Sequence, residues 1–387
     1  MSRTIRFARA GGPEVLEFIE AQVPPPGPNQ VRIKVMAIGI NRAEAMWRID
    51  DYVEPVKFPA GLGYEAAGIV DAVGEGVSDF SAGDEVNVIP SFSLNDHATY
   101  GEVIIVPAHA VVRHPKTLSY VEAASIWMMF VTAYGALIED AKVTKGDFVI
   151  IPAASSSVGL AAIQLVNYAG ATAIALTRTS AKRAQLIEAG ATHVVATEEV
   201  DFVDEVMKIT GGRGARVAFE PVGGTNFPKI HSALAAGGII YIYGRLSYEV
   251  TLLPVLEMIA KVSTVKAHSI WLTSGDETRR KAAVEYVLKG LESGALRPII
   301  DRVFKFEEMR EVHRYLEENT QFGKIVVTVL TWRGVEARPA PAAGGKRGAP
   351  RRGISGFRVS GLAFADPPGL LSTGTLALML GPIAAGH

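Results

Sequence analysis

Cysteine is missing from this chain altogether, with none among 387 residues. Its absence excludes disulfides, thiolate zinc sites, iron–sulfur clusters and cysteine nucleophiles. An excess of charge of one sign is missing too. Lys and Arg number 39 against 40 Asp and Glu, a formal net charge of −1, so no basic surplus draws the chain to nucleic acid or membrane. No apolar run reaches the ~18 residues of a membrane span. The opening "MSRTIRFARAGGPEVLEF" lacks the apolar core of a signal peptide. A cytoplasmic setting is therefore expected. What remains is 48% hydrophobic and 20% charged, the balance of a globular protein long enough for two or three domains.

The first ~120 residues read as short strands punctuated by glycine and proline. "VRIKVMAIGI" alternates, "AAGIVDAVGEGV" and "DEVNVI" carry β-branched residues, and "YGEVIIVP" closes the series. At "LSYVEAAS" a capping box, Ser119 with Glu122, starts a different rhythm. "DFVIIP", "ATAIALT", "THVVAT", "ARVAFE" and "IIYIYG" are apolar runs separated by amphipathic helical stretches. That alternation predicts an α/β fold with a parallel sheet covered on both faces. From Ala337 onward the chain is rich in Ala, Gly, Pro and Arg, with Asp366 its only acid, and reads as a disordered or non-native extension.

The turn between the first of those strands and its helix reads "AASSSVG". Against the dinucleotide fingerprint G-x-G-x-x-G, the three positions hold Ala154, Ser156 and Gly159, so only the last glycine survives. An ordinary tight connection fits as well as a pyrophosphate loop of Ser155, Ser156, Ser157, Val158 and Gly159. The next strand ends in "ALTRTSAKR": Thr177 stands where an acid would take the ribose hydroxyls of NAD, and Arg178, Lys182 and Arg183 follow. Cations at that point suit a 2′-phosphate, hence NADP(H), with Arg178 and Lys182 ahead of Arg183. A solvated helix start is the plainer account, although the helix dipole disfavours cations there.

The stretches "GINRAE", "GLGYEAAGIVDAVGEGVSDFSAGDEV", "AASSSVGLAAIQLVNYAGA", "FEPVGG" and "FGKIVV" occur in this order over residues ~1–330. In them the chain resembles the medium-chain dehydrogenase/reductase superfamily, in its zinc-free quinone oxidoreductase and enoyl reductase branch. The resemblance implies a Rossmann doubly wound parallel sheet plus a GroES-like β-rich catalytic domain, with the active site in the cleft between them. Expected boundaries are 1–123 and 269–332 for the GroES-like domain, 124–268 for the NADP(H)-binding domain and 333–387 for the tail. It further implies a homodimer through an edge strand, for which "TVKAHSIWL" is a candidate.

Where the zinc-dependent branch carries a cysteine and a histidine, this chain has Asn41 and Tyr64. His97, His109 and His114 share a region but form no close pair, so no metal is expected. A metal-free hydride transfer suits acceptors that are already polarised, namely quinones and alkenes conjugated to a carbonyl. By resemblance, Tyr52, eleven residues after Asn41, is the candidate proton donor or enolate hydrogen-bonder, and Asn41 approaches the nicotinamide ribose. A turn-capping role for Asn41 stands beside that. Tyr64 fills the vacated ligand space and touches substrate, and Thr132 lies near the cofactor. Glu44 replaces the family's aspartate with a longer carboxylate. Tyr243 and Gly244 end the last Rossmann strand, where ligands approach parallel sheets. Trp47, Trp127, Met128 and Phe130 either line an apolar pocket or belong to the core. The other readings are a non-catalytic NADPH-binding, RNA-binding or structural protein of the same fold, and a zinc-free alcohol dehydrogenase-like enzyme.

Overall fold

The apolar runs that alternate with helices become one six-stranded, all-parallel sheet. From edge to edge it runs His193–Ala196, Thr172–Thr177, Phe148–Ile151, Ala215–Glu220, Leu234–Ile242 and Thr264–Ala267. In chain order this is 3-2-1-4-5-6, the doubly wound arrangement, and its order reverses between Phe148–Ile151 and Ala215–Glu220. The central strands are mostly apolar because helices cover both faces, with Arg216 and Glu220 in Ala215–Glu220 as exceptions. Helix Ser157–Tyr168 is buried without interruption from Gly159 to Val166, so it is a core helix rather than an amphipathic one. Its chain leaves through Gly170 at φ +78, as a glycine C-cap should. A computed structural model describes residues 1–329; the tail expected after residue 332 lies outside the described residues.

The β-rich part is a seven-stranded sheet with the path Ile300–Lys305, Lys324–Thr328, Gln30–Ile40, Glu65–Val73, Glu85–Val88 and Val111–Arg113. Val103–Pro107 pairs with Gln30–Ile40 off that path. Alternation along Gln30–Ile40 puts Val31, Ile33 and Val35 inside and Arg32 and Lys34 at the surface, until both faces close over Ala37–Ile40. Ile325 pairs with Ile40 in antiparallel register, so the last described strand joins Gln30–Ile40 in this sheet, while Ser2–Phe7 belongs to a separate three-stranded sheet.

The capping box at Ser119 forms as read: the Ser119 amide donates to Glu122 at 2.8 Å, and the Glu122 amide donates to Ser119 Oγ at 3.3 Å. The stretch Tyr120–Asp140 corrects one expectation. It spans 21 residues with mean hydropathy 1.5, long and apolar enough to cross a membrane, yet a turn at 124–126 interrupts its helix and 83% of its apolar window is buried in the protein. Trp47, Trp127 and Phe130 are core residues without exposed surface, whereas Met128 reaches a cleft.

Candidate active site

At the point where the parallel sheet reverses its order, the turns after Phe148–Ile151 and Ala215–Glu220 diverge and leave a crevice. A cavity of about 520 Å³ opens there, lined by Ser156, Ser157 and Val158 on one turn and Pro221 on the other. Ala153 enters the first turn at φ +47, a conformation that L side chains adopt rarely. Ser156 is the N-cap of helix Ser157–Tyr168: its Oγ accepts from the Gly159 amide at 3.0 Å. A methyl at Gly159 would meet Ala153 O at 2.7 Å and Ala154 Cα at 2.8 Å, so this glycine lets the helix close on the strand. The first-turn amides of such a helix lack intrahelical acceptors and favour an anion. The Tyr243 hydroxyl and the Gln321 side-chain oxygen, both on cavity-lining residues, are buried without hydrogen-bond partners. A dinucleotide, with its phosphates and ribose hydroxyls, fits this donor and acceptor set.

Beyond the cavity, Arg178 is exposed at the end of the strand that Thr177 closes. The Lys182 ammonium donates to Thr320 O at 2.8 Å, Gln321 O at 3.0 Å and Ser155 Oγ at 3.4 Å; none of these is a carboxylate. Burial lowers its pKa, against the pull of Asp301. Arg183 is committed to Val194 O at 2.7 Å. The turn is not free of acids, as its sequence suggested, because Glu199 folds back and accepts from the Ser180 amide at 2.7 Å.

On the opposite wall, Asn41 is the N-cap of helix Arg42–Arg48 and lines the cavity. Its Nδ2 donates to Glu44 Oε1 at 3.1 Å, and its Oδ1 accepts from Lys324 Nζ at 2.5 Å. Asn41 thus occupies the N-cap position and faces the cleft, while its side chain is held by Glu44 and Lys324. Tyr52 also lines the cavity, and burial pushes its phenol up to about 12. Thr132, Tyr243 and Gly244 line it as well, whereas Ser155, Gly159, Thr177, Arg178 and Lys182 sit outside its wall. Tyr64 departs from expectation. It has no exposed surface and is absent from the cavity wall, packed behind Tyr52 with ring centroids 6.4 Å apart and against Trp271 at 5.6 Å. It fills space behind the cavity wall rather than lining it.

Several cleft residues escaped the linear reading. Lys324 is buried and ion-paired to Glu65, whose second oxygen accepts from the Trp127 and Met128 amides at 3.1 and 3.0 Å. Both lie in quoted motifs, "FGKIVV" and "YEAAG", where a lone charge among apolar residues already signals a buried partner. His268, at the end of the last parallel strand, lines the cavity, with Nε2 2.9 Å from Thr132 O. The strand-end rule that selected Tyr243 would have found it. Asp51 and Arg245 pair across the cavity mouth, which no local pattern announces. Among the described residues no group of three or more His, Cys, Asp or Glu could hold a metal ion.

Comparison with known proteins agrees with this geometry. Residues 27–116 match the family described as alcohol dehydrogenase GroES-like domain, and residues 189–327 match zinc-binding dehydrogenase. The chain is 31% identical over 315 residues to quinone oxidoreductase from Homo sapiens, covering 81% of this chain and 93% of the relative. It is 30% identical to the synaptic vesicle membrane protein VAT-1 homolog from Rattus norvegicus, covering 81% and 80% of the two chains. Among solved structures, Escherichia coli quinone oxidoreductase complexed with NADPH is similar with TM-score 0.77 and 27% identity, over 84% of this chain and 99% of that one.

Proposed function

The chain belongs to the medium-chain dehydrogenase/reductase superfamily, in its zinc-free quinone oxidoreductase and enoyl reductase branch, and on that premise we propose that it is an NADPH-dependent reductase of quinones or carbonyl-conjugated alkenes. One observation carries the reading. The cavity that starts at a dinucleotide turn ends against apolar Met46, Val53, Met128 and Ile270, with Tyr52 among them. The partition into residues 1–123 with 269–332, enclosing 124–268, is proposed on the same ground.

When bound, the nicotinamide supplies the hydride. The chain's own part is to hold and orient. Ser157 and Val158, at the helix N-terminus, hold the pyrophosphate. Lys182 and Arg178 take the 2′-phosphate; the hydrogen-bond partners of the ammonium are carbonyl and hydroxyl oxygens, so a phosphate adds a charged acceptor to them. Tyr52 stays protonated at neutral pH and donates a hydrogen bond to the acceptor's carbonyl oxygen, where negative charge develops. Zinc independence rests on the donor set: an amide and a phenol occupy the positions of a thiolate and an imidazole, and that amide is held by Glu44 and Lys324. We place the homodimer contact at the edge strand Thr264–Ala267.

The test is direct. Arg178→Ala with Lys182→Ala should raise the dissociation constant for NADPH by about tenfold or more while leaving NADH nearly unchanged, since two charge-assisted contacts go to the 2′-phosphate alone. Titration by NADPH fluorescence reads it. Equal losses for both cofactors would remove the NADP assignment, and no binding of either by the wild type would remove the reductase. A panel of naphthoquinones, enones and acyl thioesters then reads the acceptor class.

A further inference from the structure

Behind the Asn41 end of the cleft lies a chain of buried polar groups that the reaction above does not use. Glu44, in the first turn of helix Arg42–Arg48, has no exposed surface. Its Oε2 accepts from the Asn41 amide at 2.8 Å and the Tyr100 hydroxyl at 2.8 Å. Its Oε1 accepts from Asn41 Nδ2 at 3.1 Å and the Tyr64 amide at 3.1 Å. The protons behind it have only one arrangement. A guanidinium cannot accept, so Arg48 Nη1 donates to His313 Nδ1 at 2.7 Å. His313 then carries its proton on Nε2, which faces the Tyr100 oxygen at 3.2 Å. A hydroxyl that receives that proton gives its own to Glu44. Two donors thus converge on each carboxylate oxygen, and a proton on Glu44 would displace at least one of them.

We propose that Glu44 is a positioning residue of the cleft: while ionised, its carboxylate fixes Asn41 and the backbone at Tyr64 in the arrangement the acceptor meets, and protonation releases them. The consequence for catalysis rests on the reductase reading; the positioning itself does not. The cations packed around Glu44 are each engaged by another carboxylate. Lys324 faces it from its strand but is ion-paired to Glu65, and Arg48 on its own helix is ion-paired to Glu317. Tyr52, Tyr64, Tyr100 and neutral His313 complete the surroundings, and none brings a positive charge. Burial therefore outweighs the hydrogen bonds of Asn41 and Tyr100 and the charge of Lys324, and raises the carboxyl to about 7. Arg48 does not deprotonate, so the chain from Glu317 inward holds groups in place and conducts no proton.

Two readouts test this, the first without any ligand. Hydrogen exchange at the Asn41 and Tyr64 amides, corrected for intrinsic rates, should show protection rising with pH through about 7 in the wild type. In Glu44→Gln that dependence should vanish. The kcat/KM for 1,4-naphthoquinone with NADPH should rise over the same range and lose that limb in Glu44→Gln, with a plateau lower by about tenfold, one hydrogen bond to a charged group. Tyr100→Phe leaves Glu44 in place but removes one donor to its ionised form, so both limbs should move up by about one pH unit. A limb that persists in Glu44→Gln, or stays unmoved in Tyr100→Phe, overturns the proposal. Amide protection that responds as stated without quinone or enone turnover upholds the positioning and overturns the reductase reading.

Discussion

Ser156 has two tasks at once, since its hydroxyl oxygen caps the helix while its residue lines the cofactor cavity. The cap is its energetic part. Ser156→Ala should cost about 1 kcal/mol of stability and Ser156→Gly only a few tenths, because glycine tolerates the N-cap conformation. Both should bind NADPH with affinity within about threefold of wild type if the backbone amides do the gripping. Chemical denaturation and NADPH titration of the pair check this, and a large affinity loss in Ser156→Gly would make the hydroxyl a ligand. At this scale the sequence showed whatever lies within a short window: the serine turn and the cations after Thr177. It hid whatever partners lie far along the chain. Lys182 meets Thr320 and Gln321, and Lys324 meets Asn41, across separations that no local window contains. The position of Tyr64 behind the wall is hidden for the same reason. Its neighbour in a motif does not tell whether a ring faces a cleft or the aromatic cluster behind it.

Elements were the most legible level. Period-2 alternation gave Gln30–Ile40, and the apolar runs gave the parallel sheet, because a strand covered on both faces has no reason to be polar. The segment after the fifth parallel strand breaks that logic. Helix Val255–Lys261 has no buried residue, and Val255, Leu256, Ile259 and Val262 are 57%, 83%, 68% and 80% exposed. Beside it, Thr264–Ala267 is paired on one side only. Apolar surface of this density next to an open strand edge suits a partner, and in the proposed homodimer a second copy presenting the same edge would continue the sheet. Leu256→Glu with Ile259→Lys should therefore shift the protein from dimer to monomer in sedimentation velocity, with NADPH binding retained. A monomeric wild type at micromolar concentration would remove the dimer.

Taken as a whole, the molecule buries two titratable groups whose effects on stability oppose each other. His313 is held neutral by burial and by Arg48, its pKa lowered from 6.5 to about 3. The unfolded chain takes up that proton first, so the stability His313 contributes is present above pH 6.5 and is lost as pH falls toward 3, at about 1.4 kcal/mol per unit. Glu44 is raised from 4.5 to about 7, so the folded state keeps a proton the unfolded chain releases, and stability falls as pH rises from 4.5 to 7. Between pH 4.5 and 6.5 the two slopes cancel, and below 4.5 only His313 remains of the pair. Asp71, Asp140 and Asp147, lowered by their Lys and Arg partners, act only below the ordinary carboxylate range. In the upper window burial also raises Glu220, which acts in the same direction as Glu44, and lowers His268, which acts in the same direction as His313. Urea unfolding of the wild type should therefore give a flat stability profile from pH 4.5 to 6.5 and a steep fall below. His313→Gln, which can still accept from Arg48 and donate to Tyr100, should tilt the window so that stability rises with acid. Glu44→Gln should tilt it the other way. Parallel profiles in all three proteins would mean that neither group is buried in the state that unfolds. The same carboxylate also sets a conflict at neutral pH: its ionised form holds the cleft in shape and its protonated form stabilises the fold, so catalysis should gain across the range where stability declines.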